Sequence, residues 1–493
     1  MTLFSTIIRG VFICFFYFAD EGRASGQPLS QPGRVSLSVP YNISESIMSV
    51  ASPVASGQSA AVSGQLRFEN MGYLSEVPDS PHLTRTQYLS GRIHATGVSA
   101  VPWDFGYNLD LMAGKFYSQR QTHWAVNELS ASTRVIPEVQ ASLGRKKEDW
   151  SRLDEYWQLG LWQPKYGIDA LRPEDQGLTG LFLDYDKENF RLLGFVTSIS
   201  VPTLGPEVRE EGGGLVSDDR WYRAPSQSFT IGKNVKAIAY RLDRSDLMRL
   251  IKHEGRGLMA RLGSKTKGPW LGIAAGDKPV NDVIYTRNVV VPTGPDATIA
   301  TVQPDIARHL IVSTDVGYAW GSGVFVLSAL RDRPSVNLPR EEWVTQRLGA
   351  IEAYSGLLTW NLGILGMPTT QVNFGYLRVY GGEIVDIESQ GQAADFTLFD
   401  QRLKFTNTVS FKMQGPLVRI FGRQILGKWS YAYDWDQQGS LVGAELQLQV
   451  SREWLVLAGA DLLGVENENL KPNSFLNQYR ANDRIFGGLT YVF

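Results

Sequence analysis

The strongest constraint on how this chain can fold is a period of two. Apolar and polar residues alternate over short segments, the pattern of a strand with one wet face. In 59–69, Ala60, Val62, Leu66 and Phe68 oppose Ser63, Gln65, Arg67 and Glu69. In 104–111, Phe105, Tyr107, Leu109 and Leu111 oppose Asp104, Asn108 and Asp110. In 402–413, Leu403, Phe405, Val409, Phe411 and Met413 oppose Arg402, Lys404, Thr406, Ser410 and Lys412. In 442–451, Val442, Ala444, Leu446 and Leu448 oppose Glu445, Gln447 and Gln449. After the N-terminus no apolar run reaches the ~20 residues that a spanning helix needs.

A soluble sandwich also alternates, so the connections have to decide. Read back from the C-terminus, they alternate short and long. Ser451–Glu453, Gln414–Pro416, Met367–Thr369, Gly276–Pro279, Asp186–Asn189 and Lys146–Asp149 read as short. The segments 464–479, 382–396, 332–342, 292–308, 203–227, 164–176 and 115–130 read as long. Asp436–Gly439 and a turn near Ser264 are short on the long side. The segment 242–256 is long on the short side and contains a brief helical pattern. Short turns on one rim and long loops on the other are the pattern of a membrane barrel, which must close because an open edge in lipid leaves backbone groups unpaired. The predicted fold is all-β: a transmembrane antiparallel up-and-down β-barrel over 59–493, with about 20 strands (16–20). The count depends on 343–366, which reads as one long strand or as a hairpin at Ser355-Gly356. Trp103, Trp270, Trp343, Trp435 and Trp454 fall near predicted strand ends, where indoles favour the membrane interface.

The N-terminus reads as an address. Arg9 precedes a short apolar run that ends at Asp20-Glu21, and Ala24-Ser25-Gly26 offers small residues for cleavage. Residues 1–26 are the expected export signal, and 27–58 an N-terminal periplasmic segment. Cys14 is the one cysteine of the 493 residues, so disulfide frameworks, Cys-ligated zinc and thiol catalysis are excluded from the exported chain. With 48 Lys+Arg against 50 Asp+Glu there is no basic footprint for nucleic acid.

The last strand, Arg484 to Phe493, places Ile485, Leu489 and Tyr491 on the face of the terminal Phe493. This resembles the C-terminal assembly signal of Gram-negative outer-membrane β-barrel proteins of the porin-like channel class. The resemblance implies an outer-membrane location, recognition of this strand by the barrel-assembly machinery, and contact with outer-membrane lipid and lipopolysaccharide. It leaves oligomerisation open.

Motifs for chemistry are missing. There is no Gly-x-Ser-x-Gly or His-Glu-x-x-His, and the five histidines have no ligand spacing. Gly422 to Lys428 matches phosphate-loop spacing, but Trp429 stands where a magnesium-binding hydroxyl belongs. No catalytic, cofactor or metal site is expected, and no enzyme. The 27–58 segment is too short for a transporter plug. A wet channel is expected, lined by Arg67, Glu69, Asp104, Asp110, Arg402, Lys404, Lys412 and Glu445. Acids early and bases in 402–412 imply a transverse field. In 203–227, acids surround Gly212-Gly213-Gly214 and precede Arg220-Trp221-Tyr222-Arg223, a candidate lid with a glycine hinge. Two functions follow: passage of polar solutes, with export of an acidic polysaccharide included, or a scaffold or adhesion barrel with a closed lumen.

Overall fold

The computed structural model describes residues 59–493 apart from 78–82, 100–104, 120, 232–233, 244–246, 291–297, 336–342, 363–369, 388–392, 395–400 and 421. The expected signal (1–26), the segment 27–58, and Asp104 with Trp103 lie outside the described residues. Eighteen strands form the wall: β1 (Ser59–Tyr73), β2 (Arg85–Ser99), β3 (Phe105–Phe116), β4 (Gln121–Ile136), β5 (Val139–Lys146), β6 (Leu178–Lys187), β7 (Phe190–Thr197), β8 (Gly255–Ser264) and β9 (Lys267–Pro279). The second half is β10 (Arg308–Trp320), β11 (Gly323–Pro334), β12 (Ile351–Asn361), β13 (Gln371–Gly381), β14 (Asn407–Ile420), β15 (Arg423–Asp434), β16 (Gly439–Gln449), β17 (Trp454–Val465) and β18 (Arg484–Val492). Each pairs antiparallel with its chain neighbours, and β18 pairs with β1 to close the ring. The closing pair runs from Gln65 opposite Val492 to Tyr73 opposite Arg484. Phe493 exchanges two backbone hydrogen bonds with Gly64 (2.8 and 3.0 Å). Its ring lies over Gly64, where an added Cβ would come within 2.3 Å and push the ring aside.

Closure follows from the pleat, because alternate side chains point to opposite faces. Leu66, Phe68, Leu89, Ile93, Leu181, Leu258, Leu310 and Leu327 point outward and are exposed. An apolar outer band of this kind is stable only against lipid. Aromatic residues mark both ends of it. Tyr107, Phe190, Trp320, Trp454 and Phe493 lie toward one rim, and Tyr117, Trp124, Tyr380 and Trp435 toward the other. Two of the predicted interface indoles are not among them. Trp270 is buried on the inner face, and Trp343 starts a strand that is not part of the wall.

The rims differ as the sequence implied, with corrections. Turns at 137–138, 188–189, 265–266, 321–322 and 450–453 share one rim with the C-terminus. The segments 147–177, 198–254, 280–307, 335–350, 382–406 and 466–483 share the other, with short links at 117–120 and 435–438. Gln414–Pro416 and Gly276–Pro279 are strand, and so is most of 115–130. The turn near Ser264 is on the turn rim, and 242–256 belongs to the loop rim, where Leu247–Leu250 forms a 3-10 turn. Ser355-Gly356 is mid-strand in β12. Four long loops also join in a second sheet above the wall, ordered Ser228–Ile231, Asn234–Leu242, Thr298–Asp305, Ile284–Val290, Trp343–Leu348, Ile384–Ile387 and Ala393–Ala394.

Candidate functional site: the barrel lumen

The two sides of the lumen differ in chemistry. From β6 to β13 the inner face carries a large apolar cluster, in which Phe182, Leu193, Phe195, Met259, Trp270, Ile311, Val326, Leu330, Leu357 and Leu377 are all buried, with the Asp184–Arg191 and His309–Asp332 pairs and Asp315 set among them. From β14 through β18 and on to β3 the inward residues are charged. Arg67 pairs with Glu69 at 2.6 Å and with Glu445 at 3.8 Å. Arg92 takes Asp110 through two hydrogen bonds of 2.7 and 2.6 Å, the forked geometry that suits a guanidinium. Arg484 sits 2.7 Å from both Asp169 and Asp461. Charges so placed inside a spanning wall hold only as pairs or in water.

The segment 147–177 crosses from one side to the other. Its first half builds α1 (Arg152–Trp157), capped by Ser151, whose side chain accepts from Asp154 N. Asp154 in turn accepts from the N–H groups of Leu161 and Trp162, both at 2.9 Å. That folds Trp162 back onto Trp150, with stacked rings 5.0 Å apart. Both indoles and Leu153, Trp157 and Leu161 pack on the apolar side. The isolated hydroxyls of that side serve the loop: Trp157 Nε1 donates to Ser355 Oγ (2.8 Å) and Trp162 Nε1 to Ser313 Oγ (3.1 Å). Burial among these rings pushes the Asp154 carboxyl up, and that of Glu155 up to about 7.

The second half meets the charged side, with Tyr166, Ile168 and Leu171 buried between its charged residues. Arg172 reaches Asp461 at 3.0 Å and Glu69 at 3.4 Å, and lies 4.1 Å over the Phe486 ring. Asp169 takes Arg484, and Glu174 lies 3.4 Å from Arg92. Lys165 pairs with Asp175 across a two-residue ladder. One loop is thus tied to both sides of the lumen.

Of the predicted lumen residues, Arg67, Glu69, Asp110, Lys412 and Glu445 lie on inward faces of wall strands. Lys412 is 4.2 Å from the Tyr156 ring and donates to Tyr156 O at 3.3 Å. Arg402 and Lys404 do not lie on a strand, since β14 begins only at Asn407. Both sit in the 382–406 loop. The Arg402 side chain is 1% exposed, 2.7 Å from Asp332, and Lys404 donates to Ala170 O at 2.5 Å. Burial beside Lys165 pulls the Lys404 amine down to about 8. Leu403 and Phe405 accordingly pack inside rather than facing lipid. Acids and bases are interleaved along the charged side, so the expected separation into acidic and basic sectors is not present among the described residues. Sequence reasoning missed the 147–163 insert. Its signal was there: three tryptophans with Leu153 and Leu161 behind a Ser151 cap.

In the 198–254 loop the glycines do not form the predicted hinge. Gly212-Gly213 is the tight turn of a hairpin between Arg209–Glu211 and Gly214–Val216, both glycines at positive φ, rather than a hinge. Arg220 and Trp221 are buried in this loop's contacts with other loops.

No protein-family model and no curated protein sequence matches the chain. It is similar to solved structures of Pseudomonas aeruginosa OccK5 (OpdH), at 11% identity and TM-score 0.45, covering 88% of this chain and 98% of that one. Another is P. aeruginosa OccK2 (OpdF) in complex with glucuronate, at 11% identity and TM-score 0.44 with the same coverage. A loop-deletion mutant of OmpT, an outer membrane protein of Vibrio cholerae, is 10% identical at TM-score 0.40, covering 88% and 99%. At these identities and TM-scores the likeness carries no argument about solute or mechanism. What decides the class is the wall: closed, antiparallel, apolar outside with aromatic ends, and charged along one inner side. The fold is a closed, eighteen-stranded transmembrane β-barrel. Inside this barrel the paired charges and the 147–177 loop meet one another across the lumen.

Proposed function

We propose that the protein is a passive channel for small polar solutes, with its loop rim outside the cell and its turn rim in the periplasm. The observation that carries this reading is the charged inner side of β14–β18 and β1–β3, which is stable at membrane depth beside water. Export of a polysaccharide gains no support, because the 147–177 loop is bonded across the lumen. The interleaved charges favour solutes carrying both donors and acceptors over a simple anion or cation filter. Solute specificity on this reading belongs to Arg67, Glu69, Asp110, Lys412 and Glu445, with the pairing arms of Arg172 and Asp169. Steady single-channel current in a planar bilayer is the expected result. A barrel that shows the heat-dependent gel shift of a folded porin yet passes no current overturns the reading in favour of a closed scaffold.

Assembly and orientation complete the proposal. Ile485, Leu489, Tyr491 and Phe493 share the outward face of the closing strand, the surface offered to assembly machinery and then to lipid. Deleting Phe493 removes the two bonds to Gly64 and is expected to lower the folded fraction in cells. An epitope inserted at Gly213 is expected to be labelled on intact cells; labelling only after permeabilisation would invert the orientation.

A further inference from the structure

The outer wall opens at its loop-rim end between β6 and β7. These strands pair from Lys187 and Phe190 up to Leu181 and Val196. Above that level Leu178–Gly180 stay with β5, and Thr197 stays with Gly255 of β8, so the two strands part. The parting leaves a cleft of about 860 Å³. Leu143, Leu181 and Val196 line its apolar part, and they belong to the lipid-facing band, 66%, 48% and 54% exposed. Ile199 lines it just past the end of β7.

The side of the cleft toward β8–β10 is charged. Arg256 and Arg308 line it, with Asp277 on β9 between them and Glu254 just before β8. Asp277 serves both guanidiniums, 2.8 Å from Arg308 and 3.8 Å from Arg256, whose side chain is 78% exposed. Arg308 also donates to Glu254 O at 2.7 Å. The row continues on β11 and β12, where Arg331 pairs with Glu352 at 3.0 Å. Arg333, opposite Leu310, is exposed and has no carboxylate partner among the described residues. The outer face of β8–β12 thus sets Arg256, Arg308, Arg331 and Arg333 against Asp277 and Glu352, and Glu254 at the loop end still leaves the arginines in excess. The row stands at the edge of the apolar band: Leu258 follows Arg256 on the outward face of β8, and Leu310 follows Arg308 on β10, both half-exposed.

A cation on the lipid face is costly at the bilayer midplane and far less so near the interface. At the edge of the band these arginines stand at headgroup depth, where a guanidinium grips a phosphate through a forked pair of hydrogen bonds. Neighbouring strands lie ~4.8 Å apart, which puts Arg256 on β8 ~10 Å from the line of Arg308 on β10 and ~14 Å from that of Arg333 on β11. Such a spread suits two phosphates on one headgroup better than a single phosphate. The cleft beside the row is apolar and opens onto the band, so it takes a hydrocarbon chain. A soluble acidic partner would match the guanidiniums but has nothing to place among Leu143, Leu181 and Val196 at membrane depth.

We propose that this face binds a phosphorylated glycolipid of the outer leaflet, the lipid A part of lipopolysaccharide, with its phosphates on Arg256, Arg308 and Arg333 and one acyl chain in the cleft between β6 and β7. The leaflet rests on the orientation proposed above, with the loop rim outside; the binding surface does not. Native mass spectrometry of the whole exported chain, folded in a neutral detergent with lipid A that carries two phosphates, tests the site. Bound lipid A is expected on the parent protein. Arg256→Gln together with Arg333→Gln is expected to weaken it by at least about tenfold, since two charge-assisted contacts are lost. Arg333→Gln alone breaks no ion pair of the protein, so it keeps the test open if the double variant folds poorly, and a smaller loss is expected. Val196→Trp fills the cleft without changing charge and is also expected to lower binding. Arg419→Gln with Arg423→Gln, at the β14–β15 turn on the other rim, is expected to leave binding unchanged. Undiminished binding in the folded double variant, or an equal loss in the turn-rim variant, overturns the site. Equal binding of dipalmitoyl phosphatidylglycerol overturns the assignment to a glycolipid. An epitope at Gly213 labelled only after permeabilisation would overturn the orientation, and with it the leaflet, and would leave the binding result as measured.

Discussion

The charged and apolar sides of the lumen are built from strands of the same fold, yet the sequence writes them differently. On β1, β3 and β16 polar and apolar residues alternate cleanly, because one face meets water and the other lipid. On β10 and β11 the alternation blurs into runs such as Leu310-Ile311-Val312 and Val324-Phe325-Val326-Leu327. Beside the tryptophans of 147–162 both faces are dry, one against lipid and one against the rings, while His309, Asp315 and Asp332 keep paired or hydrogen-bonded polar groups on the same inner faces. Strands buried on both faces read as near-continuous apolar stretches. The comparison teaches that wetness inside a barrel can be read strand by strand, and that a loop folded inward carries the complement of each side it touches.

Three substitutions test this division, in falling order of effect. Trp162→Ala removes a fully buried ring that stacks on Trp150, and a buried aromatic cut to alanine costs ~3–5 kcal/mol. It is expected to lower the midpoint of the heat-dependent gel shift sharply and to widen the spread of single-channel currents, since the loop loses its hold on the apolar side. An unshifted midpoint would mean that the loop is held from the charged side alone. Arg172→Ala acts on that second side. Glu69 keeps Arg67 and Asp461 keeps Arg484, so the loss is expected to be about that of a charged hydrogen bond, ~1.5–3 kcal/mol. The lumen becomes more negative by one charge, and the reversal potential is expected to move toward cation selectivity, more at low salt where screening is weaker. A shift toward anions would show that Arg172 does not face the conducting path. Ser355→Ala is the mildest: it leaves Trp157 Nε1 without its acceptor, expected to cost ~1–3 kcal/mol with selectivity unchanged. A change in selectivity there would place water on the side described as dry.

The same contrast explains what could be read before the structure. The closed antiparallel barrel, the unequal rims and the inward rows of β1, β3 and β16 were legible because alternation and turn chemistry are local. The expected count of about 20 strands (16–20) includes the eighteen of the wall, and its upper end comes from a stretch that only looks like strand. Lys146–Asp149 looks like a turn, and the stretch from Trp150 to Gln163 is apolar enough to pass for wall, but Ser151 caps a helix there and the chain turns inward. Pro416 looked like a turn residue, yet it lies in β14 beside a register shift, where a strand tolerates proline. Arg402 and Lys404 continue the alternation of β14 by coincidence. Their spacing gave no sign that Asp332, 70 positions away in the chain, would take the Arg402 guanidinium. Tertiary pairing of this kind leaves no periodic trace, and the buried Arg220 contacts are hidden for the same reason: the partners are backbone carbonyls.

The closing strand has a consequence for the order of events in assembly. Arg484 begins β18, the wall strand that closes the ring against β1, and is buried between Asp461 on its neighbour and Asp169 in the inner loop. If the ring shut with the loop left outside, this guanidinium would be sealed in with one carboxylate fewer, at a cost that grows with desolvation. The seam therefore zips most readily around a loop that is already indoors. The final pairing acts as an inspection of everything threaded before it.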